Sequence, residues 1–294
     1  MNILDYYQNI PLHIDPTAFT VGFFSIGWYS LMYIVAFGVV YGLLRYRIKY
    51  DRESSKFQNK LQTTNHELQT LIFDFLMYAL SGVLIGGRLG YVLFYNLPYY
   101  LHNPLAIVSP YDFSTGALTG IYGMSYHGGL AAVLIATVIF VKKNKVNFWK
   151  FADFIVPAIP AGYFFGRIGN FLNLELYGRV TGSWVGMHFP LWTGAGPLLR
   201  YPSQLFEALL EGFLLFGILW TIRNKPKFGG GYFTAMYLIG YGIARIAAEF
   251  FREPDEQIGF ILRYVTLGQI LSLAMILAGG AIYFQRRRLD SIIK

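Results

Sequence analysis

The composition of this 294-residue chain predicts a membrane protein. Hydrophobic residues make up 55% of the sequence, charged residues only 14%, and the mean hydropathy is +0.43, a balance that a soluble domain of this length could hardly place on its surface. The formal charge of +8 would suggest a nucleic-acid partner in a soluble chain, but here it indicates positive loops facing the cytoplasm, so no nucleic acid is expected. The lack of cysteine excludes disulfides, thiolate metal sites and an enzyme-borne cysteine nucleophile.

Seven apolar stretches are each close to the ~20 residues that a helix needs to cross the hydrocarbon core of a bilayer. They cover, in chain order, about 19–44, 71–95, 118–141, 151–171, 202–222, 230–251 and 264–285. The residues up to Asp15 include no Lys or Arg, so we expect no cleaved leader. The sequence therefore predicts an all-α, polytopic membrane protein with seven transmembrane helices in a single integral-membrane domain, residues 1–294.

The distribution of positive charge predicts which side of the membrane each connecting segment faces. Most Lys and Arg residues outside the spans follow the first, third, fifth and seventh spans, whereas the alternate segments hold only Arg179, Arg200 and Arg263. The positive-inside rule then places the N-terminus outside and the C-terminus in the cytoplasm. The long segment 172–201 lies outside in this topology and is interpreted as a lid or docking arm.

Ionisable residues lie within the spans or at their ends, mostly in the half that faces outward. They are Arg88, His127, Arg167, Glu207, Arg245, Glu249 and Arg252. Charged groups at membrane depth are costly to bury and are therefore usually functional. Asp74 and Asp153 fall instead at cytoplasmic helix ends, where a solvated carboxylate near a helix N-terminus is ordinary.

The stretch from Gly166 to Arg179 closes the fourth span with unusually polar side chains. Arg167 and Asn170 are three residues apart and would share a helix face, and Glu175 follows in the outer segment. The alternative is that Arg167 only extends its guanidinium to the membrane interface from a helix end.

Two further patterns place charges on single helix faces. Arg245, Glu249 and Arg252 stand at i, i+4 and i+7 of the sixth span, which could equally be an ion-pair ladder that only holds helices together. Glu207 and Glu211 form an i, i+4 pair of like charges, which is unfavourable unless arginines of other helices neutralise them. We interpret Glu207 as the partner of one of these arginines.

The residue types indicate an anion site rather than a metal site. Arginines gathered near the outer leaflet suit a phosphate, because a guanidinium stays charged and gives bidentate hydrogen bonds to oxyanions. His127 precedes two glycines and is a candidate proton acceptor, although a histidine on an apolar helix is more often structural. The five histidines show no metal-ligand spacing, so we expect no metal and no cofactor.

Five segments, in order, resemble the motifs of one family, the bacterial prolipoprotein diacylglyceryl transferases. They are GGRLGYVLFYN at 86–96, GMSYHGGL at 123–130, GRIGNFLNLELYGR at 166–179, YPSQLFEALLEG at 201–212, and the stretch from Arg245 to Pro254. The resemblance covers the chain from about Ile26 to Gln269. Tyr201 departs from it, because it stands where the family commonly has histidine, and the cytoplasmic loop 45–70 is long.

The resemblance implies an activity, the transfer of the diacylglyceryl group of phosphatidylglycerol to the thiol of the lipobox cysteine in a preprolipoprotein signal peptide. A thioether forms and glycerol phosphate is released. It also implies a protein of the lipid bilayer of the bacterial cytoplasmic (inner) membrane, with its active site towards the outer leaflet. The positions that match residues on which the family relies are Tyr29, His127, Arg167, Asn170, Glu175, Gly178, Arg245 and Glu249.

This chemistry suggests a role for each polar residue. Arg245 and Arg167 are expected to hold the departing phosphate, with Asn170 orienting the head group. His127 is expected to take the thiol proton, since the thiolate is the nucleophile, and Tyr29 to donate a hydrogen bond to the lipid. The further substrate-binding candidates are Glu175, Gly178, Glu249, Arg88, Arg252 and Glu207.

The rival interpretation is a transporter or flippase for an anionic lipid, which also needs an arginine-lined pocket. It predicts paired repeats and broken helices near the membrane midplane, and no internal repeat is evident in the sequence. A purely structural scaffold would leave the outward clustering of charges unexplained.

Overall fold

The computed structural model describes residues 2–22, 24–51, 64–109, 111–112, 117–118, 123–254, 260–261 and 265–293. Over these residues the protein is mostly helical, with short antiparallel hairpins that the all-α prediction did not include. The chain divides into two compact units, one made of Met1–Lys56 with Trp149–Lys294 and the other of Phe57–Phe148. Loop residues 52–63, residues 119–122 of the third predicted span and Arg263 lie outside the described residues.

The N-terminal part of the first unit is less helical than predicted. Its elements are α1 (Ile3–Gln8), a 3-10 turn (Ile10–His13), β1 (Thr17–Val21), β2 (Phe24–Gly27) and α2 (Trp28–Tyr50). Strands β1 and β2 pair antiparallel, so the start of the first predicted span at residue 19 is wrong. The reason is local: Gly22 has φ +62°, a left-handed conformation that suits a tight turn, and β-branched and aromatic residues on either side favour strands.

The unit Phe57–Phe148 is built around two helices that approach each other closely. Its elements are α3 (Asn65–Phe94), α4 (Leu97–His102), a 3-10 turn (Pro104–Ile107), β3 (Tyr111–Asp112), β4 (Ala117–Leu118) and α5 (Tyr126–Lys143). A methyl group at Gly86 of α3 would overlap Ala132 of α5, and one at Gly90 would lie 2.7 Å from the Cα of Gly128. Small residues four apart let membrane helices pack backbone to backbone.

The remaining elements belong to the first unit. They are α6 (Phe148–Ile155), a 3-10 turn (Val156–Ala158), α7 (Ile159–Leu172), a 3-10 turn (Leu191–Thr193), α8 (Ser203–Glu207), a π-helical segment (Ala208–Leu214), α9 (Leu215–Ile222), α10 (Tyr232–Glu249), β5 (Phe260–Ile261), β6 (Val265–Thr266) and α11 (Leu267–Ile293). The fourth predicted span is interrupted at the 3-10 turn, where Pro157 has no N–H to donate. Leu215, Leu219 and Phe233 are buried together between α9 and α10.

Four of the described helices are long and apolar enough to cross a membrane. They are Trp28–Tyr50, Asn65–Phe94, the continuous helical stretch Ser203–Ile222, and Leu267–Ile292. The other three predicted spans correspond to α5, to α6 with α7, and to α10, which are shorter or interrupted. The chain is therefore a helical membrane protein.

Buried charges fix the ends of α2, α6 and α10. Arg47, whose side chain is only 1% exposed, donates a hydrogen bond to the carboxylate of Asp51 at 2.9 Å. The carboxylate of Asp153 accepts hydrogen bonds from the backbone N–H groups of Tyr232 at 2.8 Å and Thr234 at 2.9 Å. The expectation that Asp153 is solvated is therefore wrong: this carboxylate is buried because it caps the N-terminus of α10, a different helix from its own.

Candidate active site

Arg245 of α10 is surrounded by three carboxylates. Its Nη1 donates a hydrogen bond to Oε2 of Glu207 at 2.7 Å and lies 3.5 Å from Oε1 of Glu211. Its Nη2 is ion-paired with Oε2 of Glu249, one helical turn along α10, at 2.9 Å. The like charges of Glu207 and Glu211 are thus offset by a cation of another helix, as the sequence required.

Glu207 joins arginines from different elements. The same Oε2 atom that accepts from Arg245 also lies 3.0 Å from Nε of Arg167 on α7, and its Oε1 lies 3.8 Å from Nη1 of Arg252. The sequence suggested Glu207 as the partner of one arginine. In the structure it bridges two and approaches a third.

The arginine and glutamate side chains of this site differ in how much of their surface is exposed. The arginine side chains keep 12–14% of their surface exposed, whereas those of the three glutamates keep 0–5%. The carboxylates therefore lie behind the guanidinium groups. Nη2 of Arg167 and Nε of Arg245 donate no hydrogen bond to any described residue.

Asn170 continues the network along α7. Its Oδ1 accepts a hydrogen bond from Nη1 of Arg167 at 3.2 Å, and its Nδ2 donates to Oε1 of Glu175 at 2.7 Å. Arg167 and Asn170 thus share a helix face. Leu174 and Leu176, on either side of Glu175, have φ +58°, a conformation that is rare for leucine.

Glu211 lies in the π-helical segment, one turn after Glu207 at the end of α8. A π turn holds more residues than an α turn, which re-aims the side chains in it, and such segments are frequent at functional sites. Gly212 in this segment lets α7 come close, because a methyl group there would lie 2.8 Å from the Cα of Phe164.

Glu249 has a second support besides Arg245. The hydroxyl of Thr266 donates to Oε1 of Glu249 at 2.9 Å, and the same hydroxyl accepts from the backbone N–H of Gln269 at the start of α11. A methyl group at Gly268 would lie 2.7–2.9 Å from the Glu249 carboxylate. The carboxylate is therefore packed against the N-terminus of α11, where the helix dipole favours negative charge.

Gly178 lies at a crossing of three backbone segments. Its N–H donates to the carbonyl of Tyr201 at 2.8 Å, and a methyl group on it would overlap the carbonyl of Phe251. The next residue, Arg179, donates from Nε to the carbonyl of Arg252 at 2.8 Å. Glycine is required here for close backbone packing, and a part for Gly178 in substrate binding stays a prediction.

Tyr29, at the start of α2, packs beside the arginine-bearing helix. Its ring lies next to Gly169 of α7, where a methyl group would be 3.3 Å from Cδ2 of Tyr29. Its hydroxyl is 3.0 Å from that of Tyr33. The predicted hydrogen bond from Tyr29 to a lipid stays a prediction.

His127 and Arg88 belong to the unit Phe57–Phe148. His127 is the second residue of α5 and its side chain is exposed. Arg88 donates hydrogen bonds to the carbonyls of Ile107 at 2.7 Å and Ala106 at 2.6 Å, and its guanidinium lies over the ring of Tyr100. Arg88 thus closes the loop that follows α3, while the predicted roles of both residues towards a substrate stay predictions.

The outer segment 172–201 forms a small packed structure. Its core contains Leu174, Met187, Phe189 and Ala195 together with Phe171 of α7, and residues of the N-terminal part pack against it. The hydroxyl of Tyr7 donates to the carbonyl of Val185 at 3.0 Å, and burial raises the pKa of this phenol. Trp184 and Trp192 are about 70% exposed. Whether this segment acts as a lid or docking arm stays a prediction.

Sequence reasoning missed several members of the site. Tyr163 accepts a hydrogen bond from Arg167, Thr266 holds Glu249, and Gln204 donates to the carbonyl of Glu175 at 2.5 Å. Tyr163 stands four residues before Arg167, a spacing that could have been noticed. Within the described ranges, no group of three or more His, Asp or Glu side chains is placed to hold a metal ion.

Together, the fold and the site define a helical membrane protein with an arginine-lined polar site. The chain matches the family model of the prolipoprotein diacylglyceryl transferases over residues 16–285. A phosphatidylglycerol–prolipoprotein diacylglyceryl transferase of Chlorobaculum tepidum is 46% identical over 291 residues, which cover 97% of this chain and 95% of that protein. A protein of the same name from Francisella tularensis subsp. mediasiatica is 44% identical over 273 residues, 92% of each chain. This chain belongs to the prolipoprotein diacylglyceryl transferase family, which confirms the resemblance noted in its motifs.

Proposed function

We propose that this chain transfers the diacylglyceryl group of phosphatidylglycerol to the thiol of a lipobox cysteine in a preprolipoprotein signal peptide. The products are a thioether-linked peptide and glycerol phosphate. The observation that carries the proposal is structural: in a member of this family, arginines from α7 and α10 are fixed by one buried carboxylate, Glu207.

The arginines stabilise the leaving group. When the bond between the glyceryl carbon and the phosphate oxygen breaks, its electron pair stays on the phosphate. Nη2 of Arg167 and Nε of Arg245 are oriented towards the developing charge, and Glu207 holds both guanidinium groups in place before the lipid arrives. Asn170 orients the head group beside them.

The nucleophile comes from the peptide. His127 takes the proton of the cysteine thiol, and the resulting thiolate forms the new carbon–sulfur bond. Tyr29 donates a hydrogen bond to the lipid. A substrate that supplies the sulfur is in keeping with an enzyme that has no cysteine of its own.

The other candidates act on these groups. Glu249 holds Arg245, Glu175 holds Asn170, and Arg252 adds a third guanidinium beside Glu207. Gly178 allows the backbone crossing, and Arg88 orders the loop after α3 in the unit that carries His127.

The topology belongs to the same proposal. It comprises seven spans with the N-terminus outside, the C-terminus in the cytoplasm, and the site towards the outer leaflet of the bacterial inner membrane, and the distribution of Lys and Arg between the connecting segments supports it. Because the natural chain lacks cysteine, Asn2→Cys and Ser291→Cys each introduce a single thiol. In intact spheroplasts a membrane-impermeant maleimide should label the first variant and not the second; labelling of both ends or of Ser291→Cys alone contradicts this orientation.

The activity itself has a direct assay. Purified protein is incubated with phosphatidylglycerol and a lipobox peptide, and the peptide is weighed by mass spectrometry, with a peptide carrying serine for cysteine as the control. We expect a diacylglyceryl mass on the cysteine peptide only. No added mass, with movement of labelled phosphatidylglycerol between the leaflets of proteoliposomes, would favour the flippase instead.

A further inference from the structure

The hydroxyl of Tyr163 occupies a position between an arginine and a glutamate of the site. It accepts a hydrogen bond from Nε of Arg167 at 2.7 Å and donates one to Oε2 of Glu211 at 2.5 Å. The guanidinium of Arg167 also lies over the Tyr163 ring, 4.8 Å from its centroid. The same side chain thus contacts Arg167 through both its ring and its hydroxyl.

The contact depends on the close approach of two elements. Gly212 of the π-helical segment leaves room for Phe164, the residue after Tyr163, since a methyl group there would lie 2.7 Å from Cβ of Phe164. This brings Glu211, one residue before Gly212, within reach of the Tyr163 hydroxyl. The carboxylate of Glu211 is fully buried, so its acceptor position is fixed.

The geometry leaves two acceptors to compete for one donor. Nε of Arg167 carries a single N–H, which the Tyr163 hydroxyl accepts at 2.7 Å, while Oε2 of Glu207 is 3.0 Å away. Because the guanidinium is planar, the direction of the Nε–H bond sets the direction of both Nη groups. Without the hydroxyl, the Nε–H would turn towards Glu207 and carry Nη2 with it.

We propose that Tyr163 is a positioning residue for Arg167, and that Glu211 fixes the Tyr163 hydroxyl. Together they orient the arginine so that its Nη2 faces the phosphate that leaves during diacylglyceryl transfer. This inference deepens the proposed function and rests on it. Loss of this orientation lowers kcat more than it changes KM, because the charge on the phosphate grows as the bond breaks.

The test is Tyr163→Phe, which removes the hydroxyl and keeps the ring. We expect kcat to fall roughly 10–150-fold, the size of one hydrogen bond to a charged group, while KM for phosphatidylglycerol changes less than about 3-fold. Tyr283→Phe is the matched control, because the Tyr283 ring packs against Phe228 and its hydroxyl bonds to no described residue. A kcat within about 2-fold of the unaltered protein overturns the proposal, as does a loss that follows a fall in melting temperature.

A double-variant cycle separates positioning from general packing. If Tyr163 and Glu211 act as one unit, Tyr163→Phe combined with Glu211→Gln turns over no more slowly than the slower single variant. Losses that multiply overturn the proposal. If the unaltered protein itself adds no diacylglyceryl group to the peptide, the proposed function has failed instead, so the two failures are distinguishable.

Discussion

Replacing Arg245 by lysine keeps the positive charge of the side chain but removes the planar guanidinium with its separate nitrogens. In the structure two different nitrogens of Arg245 contact Glu207 at 2.7 Å and Glu249 at 2.9 Å. A single ammonium cannot span both carboxylates, so Arg245→Lys loses one charged contact, about 1.5–3 kcal/mol. If that loss falls on the transition state, kcat/KM decreases roughly 10–150-fold.

The assay measures initial rates of peptide lipidation by mass spectrometry over a range of phosphatidylglycerol concentrations. Arg223→Lys is the matched control, because Arg223 also pairs with a buried carboxylate, that of Asp51 at 3.0 Å, in a separate network. We expect its kcat/KM to stay within about 2-fold of the unaltered protein, with melting temperatures measured for both variants. An unchanged kcat/KM in Arg245→Lys, or an equal loss in Arg223→Lys, would refute the reasoning.

Three other changes test separate parts of the structure. His127→Gln should lower turnover by roughly 10²–10⁴-fold, and a near-normal rate would exclude the base role. Gly86→Ala forces a methyl group against Ala132 and should destabilise the protein by about 1–3 kcal/mol in thermal unfolding. Gly42→Ala, with open space around it, should not, and equal stability of the two variants would contradict the close packing of α3 on α5. Asp153→Ala removes the cap of α10 and should cost about 1–2 kcal/mol without altering KM, and an unchanged melting temperature would argue against the cap.

Many contacts of the candidate site could be predicted from the charge pattern of the sequence. Helical spacing placed Arg245 beside Glu249, and Arg167 beside Asn170, because residues three or four apart share a helix face whatever the tertiary structure. The cost of leaving two like charges unpaired implied that Glu207 must meet an arginine. These arguments depend on local geometry and on electrostatics, both of which can be derived from residue order.

Features that depend on tertiary packing were missed. The hairpin before Trp28 is as apolar as the helix that follows, so hydropathy alone does not separate them. The π-helical segment has no sequence pattern that distinguishes it from an α-helix. The contact of Thr266 with Glu249 joins two elements whose approach no spacing rule predicts.

The buried glutamates behind the arginines make the order of this cluster insensitive to dissolved salt. The counter-ions of the cluster are supplied by the chain itself and are almost inaccessible to solvent, so dissolved ions can neither replace nor screen them effectively. In the proposed function, an anionic head group meets guanidinium groups that are already ordered. Capture at an exposed basic patch weakens steeply with ionic strength, whereas the order of this cluster should persist from dilute buffer to concentrated salt.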